Sequence, residues 1–306
     1  MTHTTGVAPP AVRAALPGTC GELVQGTLDG IYCLVSCPIA RYSVAEVRLD
    51  TGAGWRVQPE LPKVREALHY GLAFLHRTDS SGQVRLYSDI PHGRGYGSST
   101  ADIGATLGAL GHAWGHPMTP EDISRLALRV EPTDSSLFPG LTLWDHRQGQ
   151  RCEAWGQPPT MMVVVLDPGG EVDTIAYNQH DHRTHLRALA APHRDAFQLL
   201  REGLEQGDPS AIGAAATLSA KAHQAILPNP LLETALRLAQ DVEACGVCRA
   251  HSGTILGLLL DPTRTDVAHV QALATQRLTR SISIYSVPIV EGGPRFLGPE
   301  VTDRWR

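Results

Sequence analysis

The segment Pro91 to Asp102, PHGRGYGSSTAD, constrains this chain more than any other. Upstream of it, Val84, Leu86, Ser88 and Ile90 alternate with Arg85, Tyr87 and Asp89, the period of a half-buried strand running into Pro91. Downstream, Ile103, Leu107, Leu110 and Trp114 recur at helical spacing over Ser99 to Trp114. Gly93, Gly95 and Gly97 alternate across the junction, where positive φ angles and the absent Cβ let main-chain N–H groups approach a ligand. Such amides form an anion nest, and the following helix presents its positive end to the same spot. Ser98 and Ser99 add hydroxyls suited to phosphate oxygens or a phosphate-bound metal. A plain tight turn before a helix is the alternative, but it does not require spaced glycines, paired serines and a strand-to-helix context together. The Walker GxxxxGK[ST] pattern is absent, and GxGxxG fails because Ser98 follows GRGYG.

Around that loop, 306 residues with 42% hydrophobic and 19% charged residues are enough for one large domain or two packed halves, and too apolar for disorder. A net charge of -5 supplies no sequence-wide basic field, which argues against nucleic acid as the main partner. Only Lys63 and Lys221 among the 26 basic residues are lysines, a compositional bias rather than phosphate recognition. The longest apolar run, around Ile255 to Leu260, is strand-sized, far below the ~20 residues of a membrane helix. Met1 to Leu16 has no apolar signal core, and Pro17 sits where a lipoprotein signal ending at Cys20 would want an aliphatic residue, so a cytoplasmic protein is expected. Six cysteines do not make a disulfide scaffold. Cys33, Cys37, Cys245 and Cys248 can be drawn as a zinc site, as can His180, His182 and His185, but an apolar strand after Cys248 and a solvated polar segment are the plainer readings.

Further elements follow from spacing. Ile31 to Leu49 is expected as one or two strands and Lys63 to His76 as a helix. Gly104, Gly108 and Gly111 within the helix after the loop cost propensity, which points to close packing there. Thr119 offers an N-cap, Pro120 a first position, and Pro132 a stop, so the next helix should end at Glu131. The Gly/Pro-rich stretch Trp155 to Pro159 before the strand Met161 to Leu166 marks a boundary between residues 1–157 and 158–306. Helices are expected over Thr184 to Glu205, Pro209 to Ile226 and Pro230 to Cys245, with Asp208 and Asn229 as N-caps. Arg249 to Leu260 and Ser281 to Val290 read as strands flanking a helix near Thr265 to Leu278.

Three ordered stretches resemble the GHMP kinases, named for galactokinase, homoserine kinase, mevalonate kinase and phosphomevalonate kinase. Pro91 to Ala101 is similar to their Pro-x-x-x-Gly-Leu-Gly-Ser-Ser-Ala loop, with Tyr96 for the leucine and Thr100 for the alanine. PGTCGELVQG, Pro17 to Gly26, resembles the first motif, and AHSGTILGLLL, Ala250 to Leu260, the third. The resemblance implies a two-lobed α+β fold, with a ribosomal S5 domain 2-like N-terminal lobe and a ferredoxin-like C-terminal lobe. It also implies ATP and Mg²⁺ as cofactors and a small alcohol as phosphoryl acceptor. The wording PGTCGELVQG, GYGSSTAD, VEPTDSSLF and RAHSG is similar to the subfamily that phosphorylates the side-chain hydroxyl of L-threonine for cobalamin synthesis. Homoserine kinase or another small-alcohol kinase, and a catalytically silent sensor on the same fold, are the alternatives. A sensor need not keep Glu131, Asp134, Ser98 and the three loop glycines.

By that resemblance, Pro91, Gly93, Arg94, Gly95, Tyr96, Gly97, Ser98, Ser99 and Thr100 would hold the nucleotide, together with Ser252 and Gly253. Glu131 would bind Mg²⁺ with Ser98, and Asp134 would act as base for the acceptor hydroxyl. Solvation for Glu131, and an Asx turn or helix cap for Asp134, are the structural alternatives. Gly18, Thr19, Cys20, Glu22 and Gln25 of the first motif would line the substrate, with Asp173 and Thr174, followed by Asn178, in a bordering loop. His251 would contact substrate or phosphate, or else satisfy a strand end. His92 reads as a loop residue. Thr19 stands where the family often has a lysine or arginine, and Gly253 and Gly257 are fewer glycines than its third motif usually carries, which implies different phosphate contacts.

Overall fold

Two long antiparallel strands, β1 (Val12–Leu28) and β2 (Ile31–Asp50), form the spine of the protein. The structure is a computed structural model and describes residues 11–170, 183–279 and 281–298. The branched residues expected to give one or two strands give the single long β2. β1 was not foreseen as a strand, because Pro17, Gly18 and Gly21 interrupt any alternation. Its ladder with β2 is irregular at the same place, shifting register between Pro17 and Thr19, Thr19 and Glu22, and Glu22 and Val24. Bulges of this kind re-aim side chains, and here they turn the first motif toward the glycine loop.

β3 (Trp55–Gln58), α1 (Pro62–Phe74) and β4 (Ser81–Ser88) make a βαβ unit whose strands pair in parallel beside β2. Next come α2 (Ser98–Ala113), α3 (Pro120–Ala127), a 3₁₀ turn over Ser135–Leu137, β5 (Leu141–Trp144) and β6 (Cys152–Gly156). α3 starts on the expected cap: Thr119 accepts from the Asp122 N–H, and the Asp122 carboxylate accepts the Thr119 N–H in return. It ends four residues early. The N–H groups of Val130 and Glu131 both turn back to the Ala127 carbonyl, which frees Glu131 from the helix. The β5–β6 hairpin had no counterpart in the sequence reading.

The second half contains β7 (Met162–Asp167), α4 (Arg183–Ala188), α5 (Ala190–Gln206), α6 (Pro209–His223), α7 (Leu232–Asp241), β8 (Gly246–Arg249), β9 (Leu256–Leu260), α8 (Val267–Arg277), β10 (Ser283–Pro288) and β11 (Arg295–Leu297). Along the sheet the order is β10-β7-β9-β8-β1-β2-β4-β3. With β7 to β10 counted one to four, that is 4-1-3-2, all antiparallel, with helices after the first and third strands. This is the expected ferredoxin-like arrangement. Glu22 of β1 pairs with Arg249 of β8, so one sheet runs through both halves, and β11 returns to pair with β1. The stretch read as one strand, Arg249 to Leu260, is two strands with a turn between them, and Thr184 to Glu205 is two helices. Asp208 caps α6 as expected. Asn229 instead braces the turn before β9: its side-chain carbonyl accepts the Leu231 N–H, and its amide donates to the Thr254 carbonyl.

α2 is buried on every side from Thr100 to Gly111 and packs against β1, β2 and α1. Two of its three glycines explain how it fits. A Cβ at Gly104 would lie 2.6 Å from Leu137 and 2.7 Å from Leu16, and one at Gly111 would lie 2.9 Å from the His116 carbonyl. At Gly108 the nearest atom would be 3.6 Å away, ordinary contact. The helix thereby fixes its N-terminus, and the glycine loop, at the centre of the molecule.

Candidate active site

A cavity of about 420 Å³ opens over the N-terminus of α2, walled by the glycine loop, the start of α1, the Glu131–Asp134 segment and the turn before β9. The loop has the conformation its glycines allow, with φ of +72° at Gly93, +96° at Gly95 and +65° at Gly97. The main-chain N–H groups from Gly93 to Gly97 donate no hydrogen bond among the described residues. Helix geometry leaves those of Ser98 and Ser99 without intrahelical acceptors. The result is a row of open donors backed by a helix dipole.

The other two motifs close on this loop through its carbonyls. The Thr19 N–H donates to the Tyr96 carbonyl at 2.8 Å, and the Thr254 N–H to the Arg94 carbonyl at 3.0 Å. Contact is close enough that a Cβ at Gly95 would lie 2.3 Å from the Ala250 Cβ. These two carbonyls are thus consumed inward, and amides remain for a ligand. The side chains of Arg94 and Tyr96 do not face the cavity as nucleotide contacts: Arg94 pairs with Asp167 at 3.1 Å, and the Tyr96 hydroxyl donates to the same carboxylate at 3.0 Å. Their loop contribution is main-chain. Pro91 and Gly253 support the loop without lining the cavity, while Ser252 lines it.

Glu131 sits over the start of α2. The hydroxyl that donates to its carboxylate is that of Ser99, not Ser98, and Lys63 of α1 pairs with it at 2.6 Å. Lys63 was visible in the sequence only as a rare lysine. Two hydroxyls, one carboxylate and a displaceable ammonium beside open amides fit a magnesium-bound polyphosphate: hard oxygen ligands for the ion, N–H groups and a cation for the phosphates.

Asp134 lies against the last loop glycine, where a Cβ at Gly97 would be 2.4 Å from its Oδ2. Its main-chain N–H donates to Thr100 Oγ1 at 3.1 Å, anchoring it to α2. It is half-buried, and it also begins the 3₁₀ turn, so the cap reading and the site reading hold together without a side-chain cap bond. Burial and the neighbouring Glu131 push its carboxyl up to about 6, against the pull of the Thr100 hydroxyl.

Deeper still is a polar floor. Glu22 is 3% exposed and lines the cavity. Burial first, then the Asp134 charge, hold its carboxyl well above the usual range, while Ser36 opposes them. Among the described residues its Oε2 has no hydrogen-bond partner, and neither has Gln25 Nε2. Gln25 Oε1 meets His251 Nδ1 at 2.5 Å, and the His251 carbonyl meets His223 Nε2 at 2.8 Å. His146, just after β5, stands with its ring 5.0 Å from those of His251 and Tyr32. Each buried polar group left unpaired costs about 1–3 kcal/mol; Glu22 and His146 bring such groups into the cavity wall, while Gln25 does not itself line the cavity and holds the His251 ring that does.

Of the other sequence-based candidates, Gly18 packs under the Tyr96 carbonyl and Thr19 is fully buried behind Gly97. Cys20, expected to line the substrate, is buried and does not line the cavity, and the Cys248 thiol donates to its carbonyl at 3.3 Å. Asp173, Thr174, Asn178, His180 and His182 lie outside the described residues, as does the His185 side chain. His146, Lys63, Asp102 and His92 line the cavity and were not foreseen. Among the described residues no group of three His, Cys, Asp or Glu side chains is placed to hold a metal by itself, and no helix is long and apolar enough to cross a membrane.

Residues 63–138, from Lys63 through the glycine loop to just past Asp134, match the GHMP kinases N terminal domain. With the sheet order and the three closed motifs, the chain belongs to the GHMP kinases. It is 36% identical over 270 residues to the L-threonine kinase of Citrobacter freundii, covering 86% of this chain and 91% of that protein. It is likewise 36% identical over 271 residues to the L-threonine kinase of Salmonella typhimurium, covering 87% and 89%. Among solved structures, homoserine kinase from Cytophaga hutchinsonii superposes with a TM-score of 0.68 at 17% identity, covering 97% of this chain and all of that one. MDDEF in complex with MVAPP, AMPPCP and magnesium superposes with a TM-score of 0.66 at 15% identity, covering 94% and 98%.

Proposed function

We propose that this chain transfers the γ-phosphoryl group of ATP to the side-chain hydroxyl of L-threonine, giving L-threonine O-3-phosphate and ADP. The observation that carries this reading is the contact between Asp134 and Gly97: a carboxylate raised to about 6 touches the end of a row of unpaired amides. The acceptor is assigned from the relatives, which span about nine-tenths of their own length in the match and are L-threonine kinases.

The amides from Gly93 to Ser99 would cradle the phosphates, and Glu131 with Ser99 and Ser98 would hold Mg²⁺. When bound, the ion gathers the phosphate oxygens and spreads their charge. Asp134 accepts the hydroxyl proton as the acceptor oxygen forms its bond to phosphorus and the bond to the β–γ bridging oxygen breaks. Lys63, displaced from Glu131, supplies a positive charge at the cavity mouth. Glu22 and His251 receive the amino acid below, with Gln25 holding the His251 ring. Residues 1–157 form the nucleotide-binding unit and residues 158–306 contribute His251 and Ser252. Use of ATP fits a cytoplasmic enzyme, and the product fits the cobalamin role that the sequence resemblance implies.

Phosphorus NMR of the product from ATP and L-threonine tests the reading: a phosphomonoester on the side-chain oxygen is expected. One methylene is worth only about 1–3 kcal/mol in a pocket, so L-homoserine, L-serine and mevalonate are compared alongside. A higher kcat/KM for any of these overturns the acceptor assignment.

A further inference from the structure

We propose that His146 is a substrate-binding, specificity-determining residue that reads the carboxylate of the amino-acid acceptor, while Glu22 takes the ammonium. The inference rests on the reading above and assigns the parts of its acceptor site.

His146 is 3% exposed and lines the same cavity as Asp134, yet neither ring nitrogen reaches a hydrogen-bond partner among the described residues. Buried imidazoles ordinarily have one. Its position is built rather than incidental. The Asp145 carboxylate accepts the main-chain N–H groups of Arg147, Gln148 and Gln150, each at 3.1 Å, which fixes the β5–β6 turn immediately after the histidine. The His146 carbonyl accepts the Thr133 N–H at 3.1 Å, so the histidine is tied to the segment that carries Asp134. Tyr32 and His251 pack against its ring at 5.0 Å and limit how it can turn.

The chemistry of the floor divides the acceptor. A zwitterion needs an acceptor for its ammonium and donors for its carboxylate. Glu22 is the carboxylate on the floor, and its Oε2 is uncovered. The donor on the same cavity wall without a partner among the described residues is the N–H of the His146 ring. Burial, with His251 and Arg147 nearby, keeps that ring well below the ordinary imidazole range although a main-chain group of Tyr32 opposes them, so it offers one N–H and one lone pair. A neutral donor for the acceptor's carboxylate, with the Glu22 carboxyl group for its ammonium, matches the two ends of an α-amino acid.

The test pairs a substitution with an acceptor lacking the group it reads. Kinetics are measured for the full-length protein and for H146A and H146N, with L-threonine and with (R)-1-amino-2-propanol, which is L-threonine without its carboxylate. For H146A the expected result is a KM for L-threonine raised about tenfold or more, a smaller change in kcat, and a KM for ATP within about twofold. On the decarboxylated acceptor, H146A and wild type should have nearly equal kcat/KM. H146N keeps a short neutral donor and should recover part of the loss. Equal losses on both acceptors, a KM for ATP rising in step, or an unchanged KM for L-threonine in both variants each overturn the inference while leaving the kinase reading intact. Absence of L-threonine phosphorylation by the wild-type protein overturns both.

Discussion

The two walls of the cavity are made in different ways. The nucleotide wall is nearly continuous main chain, seven residues from Gly93 to Ser99, in which the Arg94 and Tyr96 carbonyls accept from the third and first motifs and the amides are left open. The acceptor floor is assembled from side chains 124 positions apart in sequence at the widest within the first half alone, from Glu22 to His146, plus His251 from the second. The first wall depends on where glycine is required, the second on which polar atoms are left uncovered. A substitution should therefore hurt the nucleotide wall by adding a methyl group and the floor by removing a functional group.

Asp134 stands between the walls, and its removal should have the largest effect. Asp134→Asn is expected to lower kcat at least a hundredfold, the usual worth of a positioned base, with KM for ATP little changed. Its sign on stability is opposite. The folded-state carboxyl lies at about 6 against a reference of 3.8, so the folded protein holds that proton more tightly than the unfolded chain. The stabilising contribution of this site is present at low pH and is lost as pH rises through about 6. At pH 7 the ionised group works against folding, and Asp134→Asn should be more stable than wild type by about 1–3 kcal/mol. Paired denaturant titrations at pH 7 and near pH 4 check this, since the advantage should shrink at the lower pH. The wild-type kcat/KM should also fall below an apparent pKa near 6. A variant both inactive and destabilised at pH 7 would remove Asp134 from the boundary where it is placed here.

Gly95→Ala tests the nucleotide wall alone. The added carbon would lie 2.3 Å from the Ala250 Cβ at a φ of +96°, so the loop and the third-motif turn must separate. KM for ATP should rise about tenfold or more, equivalent to 1.4 kcal/mol or more, with less change for L-threonine. An effect confined to L-threonine would break the division of the cavity into two walls. Glu131→Gln should act on the same side but more weakly, raising several-fold the Mg²⁺ concentration needed for half-maximal rate, since one ionised oxygen ligand is lost while Ser98 and Ser99 remain.

This difference also decides what could be read from sequence. The glycine loop was legible because its function lies in consecutive residues between a period-two strand and a period-3.6 helix. Thr119 was legible as a cap because a capping box is complete within four residues. β1 was not, since the bulges that aim Glu22 disrupt the alternation that would have revealed the strand. α3 ended early because Pro132 only forbids continuation and does not say where the last turn tightens. His146 follows a four-residue strand with no pattern of its own, and long-range contacts, the pairing of Leu34 with Trp144 and the bond from the Thr133 N–H to the His146 carbonyl, bring it to the cavity. Lys63 begins a helix remote in sequence from the carboxylate it holds. Arg94 and Tyr96 were read as ligands because the motif contains them, but their side chains serve Asp167 on the far side of the loop.

The smallest effects lie beneath the nucleotide wall, in α2, where the three glycines read as equivalent prove not to be. At Gly108 an added Cβ would meet its nearest neighbour at 3.6 Å, and the backbone is already helical. Gly108→Ala should therefore stabilise the protein by about 0.5–1 kcal/mol through the unfolded chain's lost freedom. Gly104→Ala would force a carbon within 2.7 Å of both Leu137 and Leu16 and should destabilise, because Leu16 is held in β1 and Leu137 in the 3₁₀ turn that follows Asp134. The helix is packed tightly at Gly104 and at Gly111 and only loosely at Gly108; Gly104 touches the turn that follows Asp134, so Gly104→Ala should also lower kcat by disturbing Asp134, whereas Gly108→Ala should leave kcat unchanged. Chemical denaturation with steady-state kinetics on the two variants separates these outcomes, and equal behaviour of the pair would mean that α2 does not transmit its packing to the site.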